Sequence, residues 1–169
     1  MTQATQHEDA GLLNEKTRAE IEHWKQKFPD EQSRSALIAA LTAAQHQNGG
    51  WLSRDMMDAV ADYMGLPKIA VYEVASFYSM FELEPVGRNI VAICTNISCQ
   101  LCGADDIVAH VEGKLSVKLG GTTGDGRITL KNEEECLAAC KGAPMMTVNG
   151  HYYEDLTPEK VDEILDGLE

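Results

Sequence analysis

Apolar positions divide this chain into two halves of different texture. In the first half they recur at helical spacing. Ile21, Trp24 and Phe28 make one stripe, ended by Pro29. Leu37, Ile38, Leu41 and Ala44 make a second, stopped at Asn48-Gly49-Gly50, where glycine permits the left-handed backbone of a helix end. Ser53 is placed to cap a third helix with an inner face of Met56, Met57, Val60, Ala61 and Met64, closed by Gly65. Pro67 suits the first turn of a fourth, along which Val71, Val74, Ala75 and Tyr78 align. Residues 17–84 therefore read as an all-helical bundle, preceded by a polar segment, 1–16, expected to be disordered.

After Pro85 and Gly87 the pattern shortens. Asn89 to Ile93 is a β-rich run suited to a buried strand, and it leads directly into Cys94. Gly103 to Leu115 reads as a helix with Ile107, Val108, Val111 and Leu115 on one face. Gly120 to Gly126 is a glycine-rich loop, and Arg127 to Lys131 a second strand. Met145 to Val148, Asn149-Gly150 and His151 to Tyr153 spell a hairpin with a two-residue turn. One of Met145 and Met146 should face the core, because strand faces alternate. Thr157 and Pro158 open a last helix with the stripe Val161, Ile164, Leu165 and Leu168. Strand, helix, strand, hairpin, helix over 85–169 suits a thioredoxin-like domain, so the predicted class is α+β.

With 169 residues and 44% hydrophobic content, the chain is long enough for one or two units with real cores. A net charge of -13 opposes binding to nucleic acid or to an anionic membrane surface and leaves a basic protein partner open. No run approaches the about 18 consecutive apolar residues of a membrane span. Met1 to Ala10 carries Glu8 and Asp9 and lacks the features of a secretory signal, so a cytoplasmic location is expected.

In that compartment thiols stay reduced, and five cysteines point to metal or catalysis. Four residues separate Cys94 from Cys99, and three separate Cys136 from Cys140. Each pair follows a predicted strand, and no His or acidic residue is interleaved at ligand spacing. This favours an all-sulfur soft-metal site, with the start of a helix near Cys99 supplying N–H groups to anionic sulfur. Spacing alone leaves alternatives. Cys94-x4-Cys99-x2-Cys102 matches three ligands of a plant-type ferredoxin, Cys99-x2-Cys102 matches a thioredoxin-like redox dithiol, and four thiolates also suit structural zinc.

Among the remaining features the plainer reading is expected. Phe77, Tyr78 and Phe81 are read as core, His23, His46, His110 and His151 as surface residues, and Glu133-Glu134-Glu135 as a solvated run. Gly142 and Pro144 are read as shaping the loop under the second cysteine pair. No G-x-G-x-x-G opens a helix after a strand, so no nucleotide site is visible.

From about residue 17 to 165 the chain resembles the NuoE, or 24 kDa, family of NADH:quinone oxidoreductase (complex I) subunits. The carriers are Asn48-Gly-Gly-Trp51, the segment Val71 to Phe81 (VYEVASFYSMF), Cys94-Thr-Asn-Ile-Ser-Cys99, and Glu135 to Met146 (ECLAACKGAPMM). The resemblance implies an N-terminal helical bundle followed by a thioredoxin-like [2Fe-2S] domain. It also implies one [2Fe-2S] cluster on Cys94, Cys99, Cys136 and Cys140, with Cys102 a bystander. The implied role is electron transfer within an NADH-oxidising module, exchanging single electrons with FMN on a flavoprotein (NuoF-like) partner that binds NADH. A hydride cannot be taken by an isolated cluster, so flavin must split the electron pair elsewhere. No catalytic residue is expected in this chain. A large iron-sulfur (NuoG-like) subunit is a second implied partner, and the implied place is peripheral, on the cytoplasmic side of the inner membrane, without insertion. Relatives in NAD-linked hydrogenases and formate dehydrogenases give an alternative setting.

Overall fold

The computed structural model describes residues 11–131 and 136–169. The chain divides into two compact units, Met1–Pro85 and Val86–Glu169.

The first unit is built of four helices. In α1 (Glu15–Lys25), Asn14 caps the N-terminus by accepting the Thr17 N–H at 2.8 Å. Of the expected tail 1–16, residues 1–10 lie outside the described residues, whereas Asn14 to Lys16 belong to this capped first turn. The buried face of α1 runs through Thr17 and Ile21, with Leu13 buried just ahead of its cap, and Trp24 is 41% exposed. The expected stripe thus holds at Ile21 and fails at Trp24: steps of three and four place both on one arc, but the bundle covers only part of it. A 3-10 run, Asp30–Ala36, leads into α2 (Leu37–Gln47).

Helix α2 is the most enclosed of the helices, with Leu37, Ala40, Leu41, Ala43 and Ala44 buried and Ile38 turned outward. Its Gln45 side chain holds the segment after the fourth helix. It donates to the Met80 carbonyl at 3.1 Å and accepts the Glu82 N–H at 2.8 Å, so this buried amide is satisfied. Helix α3 (Arg54–Met64) begins under the Ser53 hydroxyl, which accepts the Met56 N–H at 3.1 Å, and ends at left-handed Gly65. Helix α4 (Lys68–Phe77) follows Pro67 and buries Ala70, Val71 and Ala75. Phe81 is buried as expected, but Phe77 is 78% exposed and Tyr78 is also outward, correcting their reading as core.

The second unit is a four-stranded sheet in the order β2-β1-β3-β4, formed by β1 (Asn89–Ile93), β2 (Ile128–Lys131), β3 (Met146–Val148) and β4 (His151–Tyr153). β1 and β2 are parallel and β3 is antiparallel to both β1 and β4. The short α5 (Ile97–Leu101) and the longer α6 (Ala104–Leu115) form the crossover, and α7 (Pro158–Asp166) closes the unit. This β-α-β then β-β-α order is thioredoxin-like, and with the helical first unit the chain is α+β. At the hairpin, Asn149 (φ 51°) and Gly150 (φ 82°) both take the positive φ that a tight turn between twisted strands demands. Among the described residues, no helix is long and apolar enough to cross a membrane.

Candidate metal centre

Strand direction brings the cysteines together. β1 and β2 run parallel, so the chain leaves both at the same edge of the sheet, and antiparallel β3 begins at that edge. Cys94 follows β1 without a gap, Cys136 comes after β2, and Met145 immediately precedes β3. Cys99 lies in α5, the first element of the crossover. A parallel pair thus collects residues from distant parts of the sequence at its carboxyl edge, where ligand sites in open α/β sheets tend to form.

Cys94 and Cys99 are 1% exposed and pack with Ala104 and Met145, while Cys136 and Cys140 are exposed. The Cys136 and Cys140 sulfurs stand 3.5 Å apart. Cys94 is hydrogen-bonded to both Cys99 and Cys136, and the charge of Cys140 is felt at Cys99. The four thiols named in the resemblance therefore form one group. Cys102 sits exposed at the C-cap of α5, its N–H donating to the Cys99 carbonyl at 3.1 Å. Among the described residues, its sulfur enters none of these contacts.

Backbone N–H groups surround the thiols. Leu137 and Asn96 donate to Cys94, Met145 donates to Cys99, and Ala138 donates to Cys136 at 3.3 Å. Burial alone would raise the Cys94 thiol. The two N–H donors and the neighbouring thiols outweigh it, and Cys94 ends below its ordinary value. At Cys99, burial and the adjacent Cys94 push the thiol up to about 11. The Ala138 N–H favours the Cys136 thiolate, yet the hydrogen bond with Cys140, slight desolvation and the charges of Cys140 and Cys94 together raise it. A helix does begin near Cys99, as expected, but it is short: Cys99 lies third in the five-residue α5.

The donor set suits an iron-sulfur cluster: thiols alone, in contact, in a pocket edged by N–H donors that stabilise anionic sulfur. Among the described residues, no group of three or more His, Cys, Asp or Glu side chains stands where a single metal ion could be held. His23, His46 and His151 are exposed, and half-buried His110 pairs with Asp162 at 2.8 Å. Glu133, Glu134 and Glu135 lie outside the described residues.

The loop carrying the second pair is held from below. Gly142 is buried, and its carbonyl accepts the Asp155 N–H at 2.7 Å, while the Pro144 carbonyl accepts the Leu156 N–H at 2.9 Å. A methyl group on Gly142 would meet the Glu154 Cβ at 2.4 Å, so only glycine fits without a shift. Sequence reasoning places Gly142 and Pro144 in this supporting role. It misses Met145, whose carbonyl accepts the Cys94 N–H at 3.0 Å and whose N–H reaches Cys99. The available signal was its position next to the pair and ahead of a strand.

A family model of thioredoxin-like [2Fe-2S] ferredoxins matches residues 21–169. The chain belongs to the thioredoxin-like [2Fe-2S] ferredoxin family. Among its relatives, an NADH-quinone oxidoreductase subunit of Rickettsia bellii is 46% identical over 142 residues, spanning 84% of each chain. The same-named protein of Rickettsia conorii is 47% identical over 143 residues, 85% of each chain. The mitochondrial NADH dehydrogenase [ubiquinone] flavoprotein 2 of Dictyostelium discoideum is 44% identical over 142 residues, 84% of this chain and 57% of that one. Among solved structures, an air-oxidized NAD+-reducing [NiFe]-hydrogenase aligns with a TM-score of 0.64 at 21% identity. The alignment covers 75% of this ferredoxin-family chain and 22% of the hydrogenase chain, and its weight is on the fold alone.

Proposed function

We propose that this chain binds one [2Fe-2S] cluster through Cys94, Cys99, Cys136 and Cys140 and serves as an electron-transfer component of the NADH-oxidising module of a respiratory NADH:quinone oxidoreductase. The observation that carries the reading is the convergence of these four thiols at one edge of the sheet, two buried and two exposed. Such a cluster, when bound, takes up and releases one electron at a time.

The chain's own residues hold the thiolates in place and offset their charge. Amides of Asn96, Leu137, Ala138 and Met145 donate to sulfur, and Met145 with Ala104 excludes water from the inner pair. Cys136 and Cys140 face outward, which suits exchange with a group on another subunit. The names of the relatives, together with the lack of a dinucleotide fingerprint in the sequence, support a flavoprotein partner; the family resemblance implies FMN and NADH on that partner, a large iron-sulfur subunit beside it, and a peripheral position on the cytoplasmic side of the inner membrane.

The test is co-purification with the flavoprotein subunit, followed by anaerobic addition of NADH. The complex is expected to show NADH-dependent reduction of the cluster, whereas the isolated chain is expected to show none. Reduction of the isolated chain by NADH, or failure of the two subunits to associate, contradicts the reading.

A further inference from the structure

The two outer cysteines are placed to react with each other. Their sulfurs stand 3.5 Å apart, and both residues are exposed. A disulfide holds its sulfurs at about 2.0 Å, so a side-chain adjustment takes the pair from contact to bond. Ala138, midway between them, is left-handed (φ 63°), and the loop therefore leaves the helical path on which residues four apart keep their Cβ atoms about 5–6 Å apart. The other three thiols are placed differently. Cys94 and Cys99 are 1% exposed, packed with Met145 and Ala104, and a dissolved oxidant does not reach them. Cys102 is exposed at the end of α5, and among the described residues its sulfur takes no part in the contacts that join the other four.

We propose that, before the chain receives a cluster, Cys136 and Cys140 form a reversible disulfide that closes the site to cluster insertion until it is reduced. The closing of the site rests on the reading of these cysteines as cluster ligands; the bond itself does not. A small-molecule disulfide such as oxidised glutathione is the oxidant. The thiolate of one cysteine attacks it, forming a mixed disulfide and releasing one glutathione; the second cysteine then attacks the mixed disulfide and releases the other. The two cysteines together lose two protons and two electrons, one S–S bond forms between them, and the oxidant leaves as two molecules of reduced glutathione. A disulfide that closes so short a loop constrains little of the unfolded chain, and an exposed one is readily reduced, which suits a lock that opens again.

The experiment treats the metal-free full chain, as the parent and as Cys102→Ser, with oxidised glutathione, alkylates the remaining thiols in denaturant and maps the peptides by mass. Treated and untreated chains are then offered cluster by a [2Fe-2S]-loaded scaffold protein, without free thiol or sulfide, and uptake is read by visible absorption and iron content. The expected result is a peptide cross-linked between Cys136 and Cys140 in both chains, with Cys94 and Cys99 alkylated, loss of cluster uptake, and return of uptake after treatment with a phosphine reductant. A cross-link between Cys99 and Cys102, glutathione adducts without a cross-link, or an oxidised chain that takes up cluster as the reduced one does overturns the proposal. A reduced parent chain that takes up no cluster overturns the ligand reading instead, so the untreated control tells the two failures apart.

Discussion

Met145 and Met146 are adjacent, both wholly buried, and serve opposite sides of the second unit. Met146 packs with Val91, Ile107 and Val161 in the main core, whereas Met145 packs against Cys94 and Cys99. Alternation along a strand explains the division. The expectation that one of the two faces the core is correct, and the second proves to be the floor of the cysteine pocket.

This division separates stability from site chemistry. Met145→Ala and Met146→Ala should each cost about 2–5 kcal/mol, the range for truncating a buried methionine. Only Met145→Ala should alter the absorption and resonance spectra of the loaded chain. Chemical unfolding and spectra recorded side by side check this, and equal spectral changes in both variants would refute the division.

Gly142→Ala should destabilise the loop by about 1–3 kcal/mol, as overpacking does, because the added methyl meets Glu154 at its Cβ and not at a movable tip. Iron content per chain should fall with it. A variant with parent stability and iron content would mean that the loop yields freely.

The α6 to α7 contact should be acid-sensitive. Asp162 accepts from His110 at 2.8 Å and lies 3.3 Å from Lys114, and the His110 hydrogen bond chiefly, with Lys114, holds its carboxyl below the ordinary 3.8 despite some burial. A depressed carboxylate contributes stability above its unfolded value and loses it as pH falls through the folded one. Asp162→Asn should therefore lower the thermal midpoint at neutral pH, with the difference from the parent shrinking below about pH 4. A difference that grows on acidification would contradict the assignment.

Much of the fold was legible because local chemistry and tertiary packing agree. Ser53 and Gly65 bound α3, Asn149-Gly150 turns the hairpin, and Asn89 to Ile93 is a strand that ends at the first cysteine. The sequence misled where an apolar residue points to solvent. Trp24, Ile38 and Phe77 fit helical periodicity as well as their buried neighbours do, and periodicity does not report how wide a face is covered. Among the cysteines, spacing left several sets open, since Cys102 follows Cys99 at a plausible interval. Its separation from the other four needs the third dimension: α5 buries Cys99 and leaves Cys102 at its exposed end. The His110 to Asp162 pair, 52 positions apart, had no local signature.

The central claim is tested most directly by electron paramagnetic resonance of the purified, dithionite-reduced chain, with Cys102→Ser and Cys136→Ser run alongside and iron and acid-labile sulfide measured on the same samples. The account predicts a rhombic spin-half signal with two iron and two sulfide per chain, unchanged in Cys102→Ser and altered or lost in Cys136→Ser. A signal lost in Cys102→Ser and kept in Cys136→Ser, or a chain holding zinc without sulfide, would contradict it.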